Sequence, residues 1–432
     1  MTRVLQVALA TALIAGPAAA QERTVTLAEA IKLAERTQPS VVQAQGDVRT
    51  AGAQRRSAWG AFLPTVSANS SASDFFSEGA SRIDPITGQL LSGNTTNRSV
   101  NTSLSASVDL FTGFRRGAQL KAARAGQAEA DASLVDARFQ QALATTNQFF
   151  DALAAAQLVS VREASVRRAE EQLKVSVAKL RAGSATRSDS LRSLVTLGNT
   201  QLDLIQARTD LATAEANLGR LIGEVGRVQA ADDSAFHVVG AEVDTSALRA
   251  EAEARSPRIQ RATASANAAR ASLQASRSAY WPSLTLGANT GWNASRSNDY
   301  TFLNQRQLSL QLRWELFNGF DRELAIAQRV ASADVAEATA ADERRAVEAE
   351  LTARLAELDA ARSKIGITQT SVAAATEDLR VQQERYRLGV STIVDVLTSQ
   401  EALNQAEVDV VTARFDYLRA KARLEALIGR TL

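Results

Sequence analysis

The sequence predicts a mainly α-helical chain that also carries four membrane-type β-strands, built as an internal two-fold repeat. Three observations predict it. Residues 114–255 and 283–432 contain no proline, so long uninterrupted helices fit there. Four segments of roughly ten residues alternate apolar and polar side chains. Short motifs of the first half recur in the same order in the second.

The composition narrows the functional classes. The chain has 432 residues, with 49 Lys+Arg against 47 Asp+Glu and a net charge of +2. A balance so close to neutral does not argue for nucleic-acid binding. There is no cysteine, which excludes disulfides, thiolate metal sites, Cys nucleophiles and lipid attachment through an N-terminal Cys. Aromatics are 5% of the residues, so the apolar content is mostly Ala, Leu and Val and suits closely packed helices.

Residues 1–20 read as a secretory signal peptide. Arg3 supplies the charge, Val4 to Ile14 the apolar run, and Ala18-Ala19-Ala20 a small-residue cleavage site before Gln21. The apolar run is short for a bilayer span, a true membrane anchor being the alternative. No later segment approaches ~20 uncharged apolar residues, so any membrane crossing must use strands.

The repeat has two offsets. Pro39 and Pro257 are 218 residues apart, as are Pro64 and Pro282. Leu110-Phe111-Thr112-Gly113-Phe114 recurs 206 residues later as Leu316-Phe317-Asn318-Gly319-Phe320. Gly183 to Asp189 and Gly389 to Asp395 share that offset, as do Leu221-Ile222-Gly223 and Leu427-Ile428-Gly429. The first half thus carries 12 extra residues between Pro64 and Leu110, a surface-loop insertion.

Arg115 to Arg181 and Arg322 to Leu388 read as single helices, each about 100 Å long at 1.5 Å per residue. Gly183 and Gly389 stand where a C-terminal glycine stop belongs. Return helices follow over Arg187 to Ile222 and Ile393 to Ile428, half as long; Ser40 to Ala61 and Arg258 to Tyr280 can cover the rest. Leu197, Leu204, Leu211 and Leu218 repeat every seven residues, as do Val396, Leu403, Val410, Tyr417 and Leu424. A sustained seven-residue repeat gives a left-handed coiled coil. Val394, Leu397, Val408, Val411, Phe415 and Leu418 widen the second arc, so that helix has neighbours on two sides. An ordinary antiparallel bundle explains the heptads equally well.

The strands bear on that choice. Val100 to Leu110, Leu284 to Trp292 and Leu308 to Leu316 alternate clearly; Thr65 to Phe75 is weaker, being mostly Ser, Ala and Asn. Such segments suit a transmembrane barrel or a half-buried soluble sheet. Four strands cannot close a barrel, and an open edge cannot exist in lipid, so several copies must each contribute four. Two copies would give a filled eight-stranded barrel and three a twelve-stranded channel; counting alone leaves both open.

At this point the chain resembles the TolC family of trimeric outer-membrane efflux and secretion ducts, over Thr24 to Gly429. The carrying residues are Leu27-Ala28-Glu29-Ala30 with Gln38-Pro39, and Phe62-Leu63-Pro64. The two Leu-Phe-x-Gly-Phe turns and Tyr386-Arg387-Leu388-Gly389 with Val394-Asp395-Val396-Leu397 complete them. Each motif is short; their order, spacing and duplication make the match specific. The resemblance implies a long α-helical coiled-coil barrel plus four β-strands per protomer completing a 12-stranded trimeric β-barrel. Residues 21–222 and 257–432 would be the two structural repeats, with β-hairpins at about 63–111 and 282–317. Residues 223–256, with Asp232, Asp233 and the lone His237, would form an equatorial belt. It also implies a homotrimer in outer-membrane lipid with a periplasmic tunnel, working passively with a periplasmic adaptor protein and an inner-membrane transporter.

The resemblance marks candidate sites. Asp189, Tyr386 and Asp395 match a periplasmic gate, with Thr398 and Ser391 standing where a second carboxylate and a basic latch can occur. Thr186 and Thr392 can equally N-cap the return helices, with the aspartates three residues on, so capping alone is the competing reading. Gly183, Ser184, Gly389 and Val390 match adaptor-docking tips, or are simply tight turns. Arg313 and Glu315, on a strand, are expected to face a barrel lumen, since charge on the lipid face costs roughly 2–4 kcal/mol at midplane; rim positions are the alternative. Trp281, Trp292, Trp314 and Tyr300 are interface anchors or packing residues. Ser77 to Arg98 and Asn293 to Arg306 read as extracellular loops.

An export duct is therefore the expected function, in efflux or type I secretion. A periplasmic coiled-coil adaptor or scaffold is the alternative, which two matched hairpins disfavour. No enzyme is expected: His237 stands alone, and no phosphate loop or G-x-S-x-G elbow is present. No cofactor or metal is expected either, and a conduit lined by small polar side chains says little of its cargo.

Overall fold

The computed structural model describes residues 23–91, 95–238, 244–295 and 299–432. The expected signal peptide lies outside the described residues, as do 92–94 and 296–298 of the two expected loops and 239–243 of the expected belt.

Strand β1 (Arg23–Val25) leads into α1 (Leu27–Thr37), whose first turn is capped by the Thr26 hydroxyl accepting from the Glu29 N–H. Pro39 opens α2 (Pro39–Gly60) at the first position, where a missing N–H is no loss. Next come β2 (Thr65–Ser77), β3 (Arg82–Ile83), β4 (Leu90–Leu91) and β5 (Thr95–Phe111). Helix α3 (Arg115–Arg181) runs 67 residues, and α4 (Arg187–Ile222) returns over 36. Strand β6 (Val228–Ala230), a 3-10 turn at Ser234–His237 and α5 (Thr245–Arg255) lead to α6 (Pro257–Ser276). A second 3-10 turn at Arg277–Tyr280 precedes β7 (Ser283–Ser295) and β8 (Leu303–Arg313). Helix α7 (Asp321–Leu388) has 68 residues and α8 (Ile393–Ile428) has 36.

The long helices lie where the sequence puts them. Helices α3, α4 and α8 have the expected bounds, and α7 starts one residue early. The fourth strand differs. It was expected over 308–316 but occupies Leu303–Arg313, so Glu315 lies two residues past its end. The reason is its partner: Ser283 pairs with Arg313, and the next residue of β7's chain is Pro282, which has no N–H to continue the ladder.

The chain divides into two compact units. The first holds Met1–Gln43, Val135–Pro257 and Ala346–Leu432. It holds an aromatic cluster in which Phe149, Phe150 and Phe236 meet edge to face, Phe150 and Phe236 5.3 Å apart at 86°, and Phe415 lies tilted against Phe150. Leu218, Ile222, Leu424 and Ile428 are buried with it. Parallel pairing of β1 with β6 closes one side. At Gly223, in the left-handed region at φ 81°, an added Cβ would lie 2.6 Å from Thr37, which fixes how α4 ends against α1.

The second unit holds Ala44–Leu134 and Arg258–Arg345. Its four-stranded antiparallel sheet has the order β2-β5-β7-β8, so β2 and β8 are free edges. The register gathers most apolar positions on one face: Val66 opposite Ala106, Val108 opposite Leu286, Leu286 opposite Leu310, Ala288 opposite Leu308. That face is open, with Leu308, Leu310 and Leu312 each more than 60% exposed. The weakly patterned β2 is held by hydroxyl pairs, Thr65–Ser107 at 2.8 Å and Ser67–Ser105 at 2.7 Å. Between β3 and β4, Asp84 accepts from the Ile86 N–H and the Thr87 hydroxyl in a tight turn.

Two corners join sheet to helix, and they are built alike. Gly113 and Phe114 have φ of 60° and 64°; Gly319 and Phe320 have 71° and 68°. A left-handed Phe costs of order 1–2 kcal/mol. Each corner pairs its two Phe rings edge to face, at 5.5 Å for Phe111–Phe114 and 5.3 Å for Phe317–Phe320. Arg116 lies over the Phe62 ring at 4.9 Å and donates to Leu110 O; Arg322 lies over Tyr280 at 4.1 Å and donates to Glu315 O.

The corners differ in room. A Cβ on Gly113 would stand 2.4 Å from Trp281 Cβ, whereas Gly319 has open space. Gly319→Ala is therefore expected to cost only the backbone term, roughly 1 kcal/mol. Gly113→Ala adds a collision and is expected to lower the midpoint of thermal unfolding several times further, measured on the detergent-purified protein.

Candidate functional site: hairpin tips and sheet base

In the first unit, α3 turns into α4, and α7 into α8, by the same device. Gly183 at φ 72° donates to Leu180 O, and Ser184 N–H reaches back to Lys179 O. Gly389 at φ 82° donates to Tyr386 O, and Val390 N–H to Arg385 O. Both are Schellman stops, which need a left-handed residue and so a glycine. Leu388 and Val390 are exposed at 70% and 63%, so the second tip presents apolar side chains to solvent.

The return helices start on matched capping boxes. Thr186 caps α4 and accepts from the Asp189 N–H, while Asp189 Oδ2 accepts from the Thr186 N–H at 2.9 Å. Thr392 and Asp395 do the same for α8 at 2.9 Å. Asp395 Oδ2 also accepts from the hydroxyls of Thr392 at 2.8 Å and Ser391 at 3.0 Å. The backbone N–H of Thr392, then these hydroxyls, hold the Asp395 carboxyl below the usual carboxylate range. Both gate candidates are thus committed to caps within one chain.

Tyr386 is buried beside them, in an apolar cluster with Leu379, Ile393, Val396 and Leu403. Its hydroxyl is sealed from solvent and makes no hydrogen bond of good geometry. Burial pushes the phenol up, the Ser176 hydroxyl opposes this, and the Asp189 carboxylate adds to it. No hydrogen bond joins Asp189 to Tyr386.

Sequence reasoning missed the residue that ties the two hairpins together. Lys179 Nζ donates to Tyr386 O and Arg387 O, and lies over the Tyr386 ring at 4.5 Å. It adds a side-chain donor to carbonyls at the end of α7, where helical donors run out. Its sequence signal was a lone Lys four residues before Gly183. Farther along, Arg168 of α3 bonds Asn404 at 2.8 Å and pairs with Glu407 of α8 at 2.5 Å, a second polar tie.

In the second unit, Arg313 and Glu315 line a cleft of about 660 Å³ at the helix end of the sheet, with Asp109, Arg115, Thr285 and Arg329. Asp109, Thr285 and Arg313 stand on the polar face in the strand register. Trp281 shares the lining, and Trp314 Nε1 donates to Tyr280 O. Trp281, Trp314, Phe114, Phe317 and Phe320 are each more than half exposed, so this end of the sheet carries a band of open aromatic rings. Among the described residues no helix is long and apolar enough to cross a membrane, and no cluster of metal-ligating side chains occurs.

The family model of outer membrane efflux proteins matches residues 30–224 and 248–430. The outer membrane efflux protein BepC of Brucella suis is 25% identical over 286 residues, covering 64% of this chain and 62% of BepC, less than two thirds of its length. The pyoverdine export outer membrane protein OpmQ of Pseudomonas putida is 26% identical over 422 residues, covering 93% and 85%. The crystal structure of the outer membrane protein VceC of Vibrio cholerae superimposes with a TM-score of 0.76 at 18% identity, covering 94% of this chain and 96% of that one.

The lowered Asp395 pKa has a pH consequence. The folded tip holds this carboxylate better than the unfolded chain does, so the stabilisation is full above the ordinary value of 3.8 and fades as pH falls through the lower folded value. The protection of the amides at the start of α8, measured against the intrinsic exchange rate at each pH, is expected to fall in the wild type as pH drops below about 4. In Asp395→Asn it should be several-fold lower at neutral pH, without that acid-dependent change.

Proposed function

The chain belongs to the outer membrane efflux protein family, whose members are outer-membrane export channels, and on that premise we propose that it is a trimeric duct carrying cargo outward past the outer membrane. Three copies of the four-stranded sheet complete a 12-stranded barrel, and their long helices line a periplasmic tunnel. The observation that carries this reading is the sheet itself. Its apolar face is open and both its edges are unpaired, a combination that lipid tolerates only once other strands seal those edges.

Other features support the parts. Helix α4 leaves Leu191, Leu194, Val195, Leu202 and Ile205 at least half exposed, an apolar face of the kind a neighbouring protomer would cover. The heptad positions of α8, by contrast, are buried within the chain at Val396, Leu403, Tyr417 and Leu424. Paired corners, caps and glycine stops at matching positions support the two-fold repeat of residues 21–222 and 257–432, with 223–256 as the belt between. The aromatic band at the base of the sheet suits the inner boundary of the bilayer.

In this reading, Asp189, Asp395 and Tyr386 form the periplasmic gate on top of their capping and packing roles. The exposed turns at Gly183, Ser184, Gly389 and Val390 receive the helical hairpin of a periplasmic adaptor, which links the duct to an inner-membrane transporter. The duct is passive and not an enzyme, and Arg313 and Glu315 face its lumen.

Planar-bilayer recording tests the reading. The purified protein is expected to give discrete conductance steps, and failure to insert at all would contradict the duct. A trivalent cation such as La³⁺, added on the tip side, is expected to block the wild type. The pair Asp189→Asn and Asp395→Asn should lose that block; unchanged block removes the gate role and leaves capping alone.

A further inference from the structure

Charge is distributed unevenly over the polar face of the sheet. In the register of β2, β5, β7 and β8 that face is Ser, Thr, Asn, Gln and Gly along most of its length. Among the described residues of the four strands, its only charged side chains are Asp109 and Arg313, both at the helix end. The cleft there adds Arg115, Arg329 and Glu315. Its remaining walls are hydroxyls, alanines, one glutamine and Trp281.

The five charges are not equally engaged. Asp109 Oδ1 accepts from the Thr285 hydroxyl at 2.8 Å, and Asp109 faces Arg115 at 3.9 Å, so that pair is internally balanced. Arg313 and Arg329 have no ion pair among the described residues, and Glu315 offsets one of them. One positive charge per copy is left over, on guanidinium groups whose planar fork fits carboxylate and phosphate.

We infer that this cleft is an anion-selecting subsite, which holds the carboxylate or phosphate group of small organic anions in transit at the base of the barrel. The inference rests on the lumen reading of the polar face above. A neutral, small-polar wall elsewhere makes the ring of three such clefts the strongest fixed field on that stretch of the path. Rings of Arg or Lys are how pores favour anions. The aspartates of the hairpin tips belong to the other compact unit, so substituting them leaves the charges of the cleft unchanged.

The test is single-channel recording with citrate as the probe, added to the extracellular side, together with the reversal potential in a KCl gradient. Wild type is expected to show block by citrate. Arg313→Gln with Arg329→Gln takes the cleft from +1 to −1 per copy; it should abolish the block and shift the reversal potential toward K⁺ preference. Glu315→Gln takes it to +2, and should deepen the block and shift the potential the other way. Asp189→Asn with Asp395→Asn should leave extracellular citrate block in place. Conductance steps with no citrate block, or with block unmoved by the Arg313, Arg329 and Glu315 changes, overturn the subsite while leaving the duct. A wild type that forms no channel overturns the duct, and the subsite with it.

Discussion

An unpaired strand edge cannot stay in hydrocarbon, and this constraint organises the rest of the molecule. Each free N–H and C=O costs several kcal/mol without water or a partner. Strand β2 has 13 residues and β8 has 11, and both are edges. One chain supplies too few strands to curl into a barrel. In the proposed duct, further copies supply the missing strands, and assembly and membrane insertion become one problem.

The helices face the same problem in water and solve it differently. Their backbone is satisfied internally, so what needs covering is apolar side-chain surface. Helix α8 covers its own by packing inside the chain, where seventeen of its residues are buried. Helix α4 does not, and keeps a row of Leu, Val and Ile open. The asymmetry divides labour: α8 fixes the fold of the chain, and in the proposed duct α4 joins it to another copy. Capping boxes, Schellman stops and Lys179 fix where each hairpin turns.

Much of this was legible in the sequence. Helix ends were readable because Pro, Gly and Thr act locally: Pro39 and Pro257 open helices, Gly183 and Gly389 stop them, Thr186 and Thr392 cap them. Strands β2, β5 and β7 were placed within their own ladders, β2 on weak alternation. The fourth was placed three to five residues late, because alternation continues through Trp314 and Leu316 while the ladder stops where Pro282 cannot donate. The β1–β6 pair was not foreseen, since three residues carry too little periodic signal; nor were α1 and α5, although Thr26 and Asp244 are caps and α1 is amphipathic. At the candidate sites, the aspartates and glycines were visible as motifs. Lys179 and the Arg168–Asn404 tie were not, because their partners lie more than 200 residues away in sequence.

The account's central claim is that β2 of one copy pairs with β8 of the next. The absence of native cysteine allows a direct measurement. A chain carrying Asn69→Cys in β2 and, in turn, Gln305→Cys, Gln307→Cys or Ser309→Cys in β8 would be oxidised in outer-membrane fractions. The gel is then run without reductant. Within one chain these strands are separated by β5 and β7, about 14 Å at normal strand spacing, beyond disulfide reach. The expected result is a covalent ladder ending at three chains for at least one pairing. Monomer at every pairing, or a ladder ending at two, would contradict it.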